Sequence, residues 1–277
     1  MVFDLNNPKE AFAYWIQERW EILKRREAGQ PKPWSKDKIF QTVYFTNVRR
    51  EDDRTTKFIR GWAEDISRNM LVPAYVLART LNRAETLARI HGHLMDWMWR
   101  PEAIKAVLQE YRDAGNQVFS GAYLVTTCGV KMDKLDYVVR VAEHAATRKL
   151  TFESCEDTHR TLMTVNGLGS FLAAQVVADL KNTEGHPLQK ADDWWTFVAS
   201  GPGSRRGVNY YYGRHPEHPF AEMYFRKFIH TIREETAPML DGVPEICNQD
   251  LQNCLCEFSK YMRVKAGGRT KRNYPGV

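Results

Sequence analysis

Apolar side chains along most of this chain return every three or four residues, while the strict alternation of a half-buried strand is nearly absent. From Glu10 to Arg26, Phe12, Trp15, Ile16, Trp20 and Leu23 trace one stripe of an amphipathic helix. Phe58, Ile59, Trp62 and Ile66 repeat the spacing. Further helical patterns cover about 73–90, 101–114, 133–147, 155–163, 170–181, 219–235 and 248–263. Breaks fall at Pro73, Arg100-Pro101, Gly115-Asn116, Gly167 to Gly169, the stretch from Asn182 to Pro219, and Gly242 to Pro244. A loop with two prolines, Gly29 to Lys38, closes the first helix, and Ser35 is the expected cap of whatever follows. The pattern predicts an all-α fold without internal repeats.

A chain of 277 residues is long for one domain and short for three, which suits one domain or two intimate lobes. Its 8 Trp, 12 Tyr and 13 Phe exclude a disordered chain, since that much apolar surface must be buried. Lys plus Arg number 40 against 34 Asp plus Glu, a net charge of +6 that favours an anionic partner, nucleic acid or phosphate. No run of eighteen apolar residues occurs, and MVFDLNNPKE lacks a leader's basic and apolar regions, so a soluble, unexported protein is expected. Five cysteines, an odd and sparse set, suit reduced thiols on buried helix faces. Cys247, Cys254 and Cys256 lack the number and spacing of an iron-sulfur site, and the histidines offer no third zinc ligand. No metal and no cofactor is expected.

Between two helical patterns, Leu162 to Leu180 reads LMTVNGLGSFLAAQVVADL. Gly167 and Gly169 suit a tight hairpin whose amides open at the start of the second helix, where unpaired N–H groups favour an anion. This resembles the helix-hairpin-helix with which DNA glycosylases hold a backbone phosphate without reading sequence, with 155–181 as the hairpin and Asn166, Gly167, Gly169 and Ser170 as its DNA contacts. A plain connector with glycines for packing is the alternative. In those glycosylases a catalytic Asp follows some twenty residues later, and Asp192 and Asp193 lie at a comparable distance beside Trp194 and Trp195, which would draw a carboxylate partly out of water. One of the two could instead cap a helix beginning at Trp194.

Arginine marks two further segments. In GPGSRRG, Gly201, Gly203 and Gly207 permit amides to converge, and Arg205 and Arg206 add fork-shaped donors, the look of an anion cradle. No Walker string exists, which argues against a P-loop kinase. Tyr211, in the run Tyr210 to Tyr212, and Arg214 suit stacking on an everted base, or core filling. In FTNVRREDDRTTK, Arg50, Asp53, Arg54 and Lys57 fall at three and four spacing, so one helical face would offer cations to a phosphate with Asp53 orienting them, unless the run is simply a solvated face. The tail 265–277, with Lys265, Arg269, Lys271 and Arg272, reads as a flexible basic arm after a two-lobed domain over 1–264.

Taken with FSGAYLVTTCG at Phe119 to Gly129 and LCEFSKYMR at Leu255 to Arg263, these blocks resemble one helical family of phage DNA hypermodification. It comprises the α-glutamyl/putrescinyl thymine pyrophosphorylases, also called amino acid:DNA transferases, and the related helical domain of hydroxymethyluracil DNA kinases. The resemblance spans about 45 to 263 and implies a two-lobed, glycosylase-like helical fold acting in the cytoplasm of an infected bacterium. It implies double-stranded DNA with modified thymine as one partner and an amino acid or polyamine as the other, and no membrane. The implied reaction replaces the pyrophosphate of 5-pyrophosphoryloxymethyl-uracil with an amine such as glycine. Arg49, Arg50, Arg54, Arg205 and Arg206 would hold the leaving group, and Asp193 or Asp192 would take the amine's proton. Asn47, Asp53, Glu257, Lys260 and Arg263 are further candidates. A base-excision glycosylase and a non-catalytic DNA-binding partner of a kinase are the rival readings.

Overall fold

Among the described residues, the helices that begin at Pro8, Lys38, Lys134 and Cys155 each follow a residue whose side chain accepts one of their first amides. The computed structural model describes residues 2–95, 98–120, 126–127 and 129–270; twelve α-helices and no strand occur among them. By internal contacts the chain divides into two units, one assembled from its first 53 residues and the chain from Trp195 onward, the other from Arg54–Trp194. They are called the terminal and central units below.

The terminal unit holds α1 (Pro8–Glu27), α2 (Lys38–Thr42), α10 (Pro202–Tyr211), α11 (Glu222–Thr236) and α12 (Asn248–Lys265). Asn7 caps α1 by accepting the Lys9 amide, and Pro8 sits where the helix needs no N–H. The α2 cap is Asp37, two residues past the expected Ser35, whose hydroxyl instead accepts the Asp37 amide. Phe12, Trp15 and Ile16 of α1 are fully buried with Phe40, Phe45, Phe225, Phe258 and Tyr261.

The central unit holds α3 (Arg54–Trp62), α4 (Leu71–Leu81), α5 (Ala84–Ile90), α6 (Pro101–Asp113), α7 (Lys134–Ala146), α8 (Cys155–Leu162) and α9 (Ser170–Lys181). The pattern over 73–90 proves to be two helices. Asn82 adopts the left-handed conformation (φ 51°) and ends α4, a role open to Asn because its short polar side chain tolerates that region. Every residue of α4 is buried, and it packs on α7 and α9. Arg79 of α4 forks onto Asp179 of α9 at 2.6 and 2.5 Å, both side chains being within 2% of complete burial. Arg60 ties in by donating to the Asp179 carbonyl (2.7 Å) and the Thr183 hydroxyl (3.0 Å). A charge taken this far from water persists only when fully paired and hydrogen-bonded.

The stretch from Asn182 to Pro219 conceals the helix that the sequence misses, α10. Its glycines do not converge amides on a ligand. A Cβ on Gly207 would lie 2.2 Å from the Leu255 carbonyl oxygen, and one on Gly203 would lie 2.4 Å from the Cys256 sulfur. Four residues apart, they form a bare stripe on α10 that lets α12 approach backbone to backbone. The Ser204 hydroxyl accepts the Gly201 amide and donates to its carbonyl, closing the first turn. Toward the C-terminus α12 runs through Lys265, whose ammonium donates to the Leu5 carbonyl (2.7 Å), so helix and a tether occupy the start of the expected arm. Lys271 and Arg272 lie outside the described residues, as does Cys128 and much of the Phe119–Gly129 block.

Candidate functional site

Two sites emerge, one in each unit. In the central unit, α8 and α9 pack as a helical hairpin through the turn Met163–Gly169. Gly167 has φ +100°, and a Cβ there would lie 2.5 Å from Val141 Cγ2 and 2.8 Å from the Tyr137 hydroxyl. Only glycine allows both the turn and this approach to α7. At Gly169 a Cβ would meet nothing within 4 Å, so the backbone there faces open space. No side chain caps α9. Within the described residues, no protein group accepts from the amides of Gly167, Gly169 or Ser170, while the Ser170 carbonyl accepts from His159 Nε2 (2.9 Å). Burial holds the His159 imidazole below its ordinary pKa.

The hairpin turn opens on a cavity of 570 Å³ walled by Val165, Asn166, Gly167 and Gly169 from the turn, and by Tyr137, Arg140 and His144 from α7. Asn166 and Gly169 are exposed, as is Arg140. The sequence reading passed over Arg140 and His144, although their i, i+4 spacing sets them on one face of α7. Together the turn and α7 present amides, a guanidinium and an imidazole to one cavity, a donor set suited to a phosphodiester.

Asp193 belongs to this unit in a different capacity. Its two oxygens accept the Cys155 amide (2.8 Å) and the Glu156 amide (2.9 Å), so it caps α8 from 38 residues away, with Ser154 adding a bond to the Asp157 amide (3.0 Å). No helix begins at Trp194; residues 192–196 form turns, and Asp192 is exposed. Both oxygens of the expected base are therefore engaged in holding a helix end.

In the terminal unit the strip Val43 to Asp53 leaves α2 extended, and side chains satisfy much of its backbone. From α12, Lys260 donates to the Tyr44 carbonyl (2.9 Å), Glu257 accepts the Thr46 amide (3.1 Å), Cys254 donates to the Val48 carbonyl (3.4 Å) and Asp250 accepts the Arg50 amide (3.0 Å). Asn253 donates to the Thr46 hydroxyl (3.0 Å), and Arg19 of α1 donates to the Thr46 carbonyl (2.9 Å) and to the Asn47 side chain. Residues 250, 253, 257 and 260 share one helical face, so α12 works as a row of clamps. Glu257 and Lys260, themselves paired at 2.7 Å, thus fix the strip, while Arg263 is exposed on the next turn.

The clamped strip presents Asp53. Arg50–Asp52 is a single 3-10 turn and α3 begins only at Arg54, so the expected common helical face of Arg50, Asp53, Arg54 and Lys57 does not form. The Asp53 Oδ1 accepts the Asn47 amide (3.1 Å), and Asn47 donates its side-chain N–H to the Asp52 carbonyl (2.8 Å), which closes the loop. Within the described residues nothing donates to the other Asp53 oxygen. Burial pushes the Asp53 carboxyl up from 3.8 to about 6, against the Asn47 amide and the Arg19 and Arg50 guanidiniums that favour its charge, with Glu257 reinforcing the rise.

The arginines have partners of their own. Arg49 forks onto Asp52 (2.9 Å twice) and lies over the Trp20 ring, Arg205 reaches Glu222 (2.8 Å) and lies over Phe220, and Arg206 reaches Glu217 (2.6 Å). Arg54 is exposed. Tyr211, expected to stack on a base, is a core residue: its ring meets Phe12 edge-on at 5.7 Å and its hydroxyl donates to Glu235 (2.9 Å). Arg214 lies over Tyr212 and Phe228, its plane already stacked.

Comparison with known proteins gives this geometry a family. Residues 7–270 match the model of the 5-hmdU DNA kinase helical domain. A 5-hmdU DNA kinase of Bacillus phage SP10 is 26% identical over 296 aligned residues, covering 94% of this chain and 45% of that protein, so the chain spans under half its relative's length. No solved structure matches. No helix among the described residues is long and apolar enough to cross a membrane. Matched over nearly its whole length, the chain belongs to the family of 5-hmdU DNA kinase helical domains.

Proposed function

We propose that this protein acts in phage thymine hypermodification as a transferase that replaces the pyrophosphate of 5-pyrophosphoryloxymethyl-uracil in DNA with an amine, an amino acid such as glycine being the first candidate. The observation that carries the reading is the hairpin cavity: in a family named for hydroxymethyluracil DNA, Gly167, Gly169 and Arg140 line a space suited to a DNA phosphate. The central unit grips the duplex backbone through this cavity, independently of sequence. The terminal unit supplies cations and a carboxyl for the chemistry.

Departure of a diphosphate from an exocyclic methylene calls for positive charge on its oxygens. Arg49, Arg50, Arg205 and Arg206, all of the terminal unit, are the donors of choice. The pairs that Arg49, Arg205 and Arg206 make at the surface contribute only about 0–1 kcal/mol each, so a diphosphate competes for them readily. Asn166, Gly169 and Ser170 complete the grip on DNA, and the reaction takes place in the host cytoplasm, where phage DNA is modified.

The test is mass spectrometry of nucleosides digested from pyrophosphorylated hydroxymethyluracil DNA after incubation with the protein, glycine and putrescine. Incorporated amine with released pyrophosphate is expected. Abasic sites without incorporation would establish a glycosylase instead. A second reading, a DNA-binding module serving a kinase in trans, draws on the match to less than half of a kinase; DNA binding with no product of either kind would establish it. In each case Arg140→Ala should weaken DNA binding across all sequences and lower the salt slope by roughly one.

A further inference from the structure

The geometry points to Asp53, and not Asp193 or Asp192, as the group that accepts the proton of the incoming amine, a proposal that rests on the transferase reading above. Three observations carry it. Asp193 has both oxygens bound by the α8 amides, so accepting a proton there would break a helix cap. Asp192 is exposed, on a run of turns rather than a clamped loop. Asp53 instead has one oxygen fixed by the Asn47 amide and one to which nothing among the described residues donates, on a loop that α1 and α12 clamp from both sides. A base must be rigid at one end and open at the other, and only Asp53 of the three meets both conditions.

The charged groups that face it are Arg19 from α1, Arg50 on its own strip, and Glu257 from α12, the last paired with Lys260. The guanidiniums keep the carboxyl ionised enough to act near neutrality, and they leave positive charge beside it when it becomes neutral. The step balances as follows. The ammonium of the amine gives one proton to the free Asp53 oxygen, and its nitrogen lone pair forms a bond to the exocyclic methylene carbon. The carbon–oxygen bond breaks, and pyrophosphate leaves with the electron pair. The product is a secondary ammonium, which loses its remaining extra proton to water. No oxidant or further reactant is needed.

The experiment measures amine incorporation and DNA binding for the wild type, Asp53→Asn and Asp53→Glu on pyrophosphorylated hydroxymethyluracil duplex, across pH, with glycine in excess. Asp53→Asn keeps an oxygen for the Asn47 amide, so its fold and DNA affinity should match the wild type. Its rate at neutral pH should fall by roughly 10²- to 10⁴-fold. The profile is the decisive readout. The wild-type rate should level off above about pH 6, while that of Asp53→Asn should keep climbing tenfold per pH unit as free amine forms in solution. Asp53→Glu should recover the plateau at a reduced rate. A wild-type rate and profile in Asp53→Asn would overturn the assignment and leave the transferase reading standing. No incorporation by the wild type would overturn both. Should Asp53→Asn not fold, Asp53→Glu decides: an unchanged rate rejects the base, and a loss of tenfold or more at a retained plateau supports it, because a displaced base is costly.

Discussion

The two units solve the problem of a core in opposite ways. The terminal unit is cemented by rings: Phe12 against Phe258 at 5.1 Å, Phe40 against Phe45 at 5.2 Å and Tyr261 at 5.5 Å, Trp15 against Phe45 at 5.8 Å. The central unit is aliphatic around Leu77, Leu81, Val138, Val176 and Val177, with an ion pair at its centre. Large rings bury much apolar area per side chain and leave polar residues to the rim, where the strip Val43–Asp53 lies half-buried and partly solvated. Aliphatic helices pack in more registers, and the Arg79–Asp179 fork restricts α4 and α9 to one. The same division separates a unit whose rim carries a titratable carboxyl from one whose hairpin turn opens on a cavity.

The sharpest way to break this contrast is to unpair the buried charge. Asp179→Ala leaves the Arg79 guanidinium buried without its partner and should cost about 3–5 kcal/mol in denaturant unfolding, where the double variant Arg79→Met with Asp179→Leu should recover most of the loss. If the single variant costs under about 1 kcal/mol, the pair does not organise the central unit. Next in size is the helix contact of the terminal unit. Gly207→Ala forces a methyl against the Leu255 carbonyl at 2.2 Å, backbone that cannot step aside, and should destabilise by about 1–3 kcal/mol. Gly203→Ala meets the Cys256 sulfur, on a side chain able to turn, and should cost less. Equal effects would mean that α10 and α12 are not in backbone contact.

How much of this was legible in the sequence depended on range. Helices α1, α6, α7, α8 and α9 are legible within a residue or two, because periodicity and breaks such as Arg100-Pro101 and Gly167 to Gly169 are local signals. Helix α10 was missed because Gly, Pro and Arg in quick succession read as loop; the i, i+4 spacing of Gly203 and Gly207 was the overlooked sign of helix packing. The break at Asn82 rests on one left-handed residue that periodicity does not register. Site contacts were hardest. Asp193 caps a helix 38 residues earlier, and Glu257 holds an amide 211 residues away, so neither role has a local trace. Proximity to tryptophan gives Asp193 the look of a base, while the Asp53 oxygen to which nothing among the described residues donates shows only in three dimensions.

Two aspartates sharpen the comparison further. Asp193→Ala removes two amide bonds at the start of α8 and should cost about 1 kcal/mol, the range of an N-cap, measured by urea unfolding. If Asp193 serves only as a cap, the remaining folded protein should keep its plateau in pH and lose rate only in proportion to lost fold. A loss of the plateau itself would return the base to Asp193.

Asp53 should act on stability in the reverse direction. Its folded carboxyl titrates at about 6 and its unfolded one at 3.8, so between those values the native state holds more protons. Stability therefore declines as pH rises through that window, and the full penalty is present above about 6. Below 3.8 both states are protonated and the penalty is gone. Asp53→Asn carries no charge to bury, so its Tm should exceed that of the wild type above pH 6 and converge with it below 3.8, as followed by thermal unfolding across pH. Removing a cap in the central unit should cost stability, whereas removing the charge of the half-buried Asp53 in the terminal unit should add it. If Asp53→Asn melts lower than the wild type at neutral pH, Asp53 is a structural clamp like its neighbours Glu257 and Asp250, and the distinction between the two aspartates disappears.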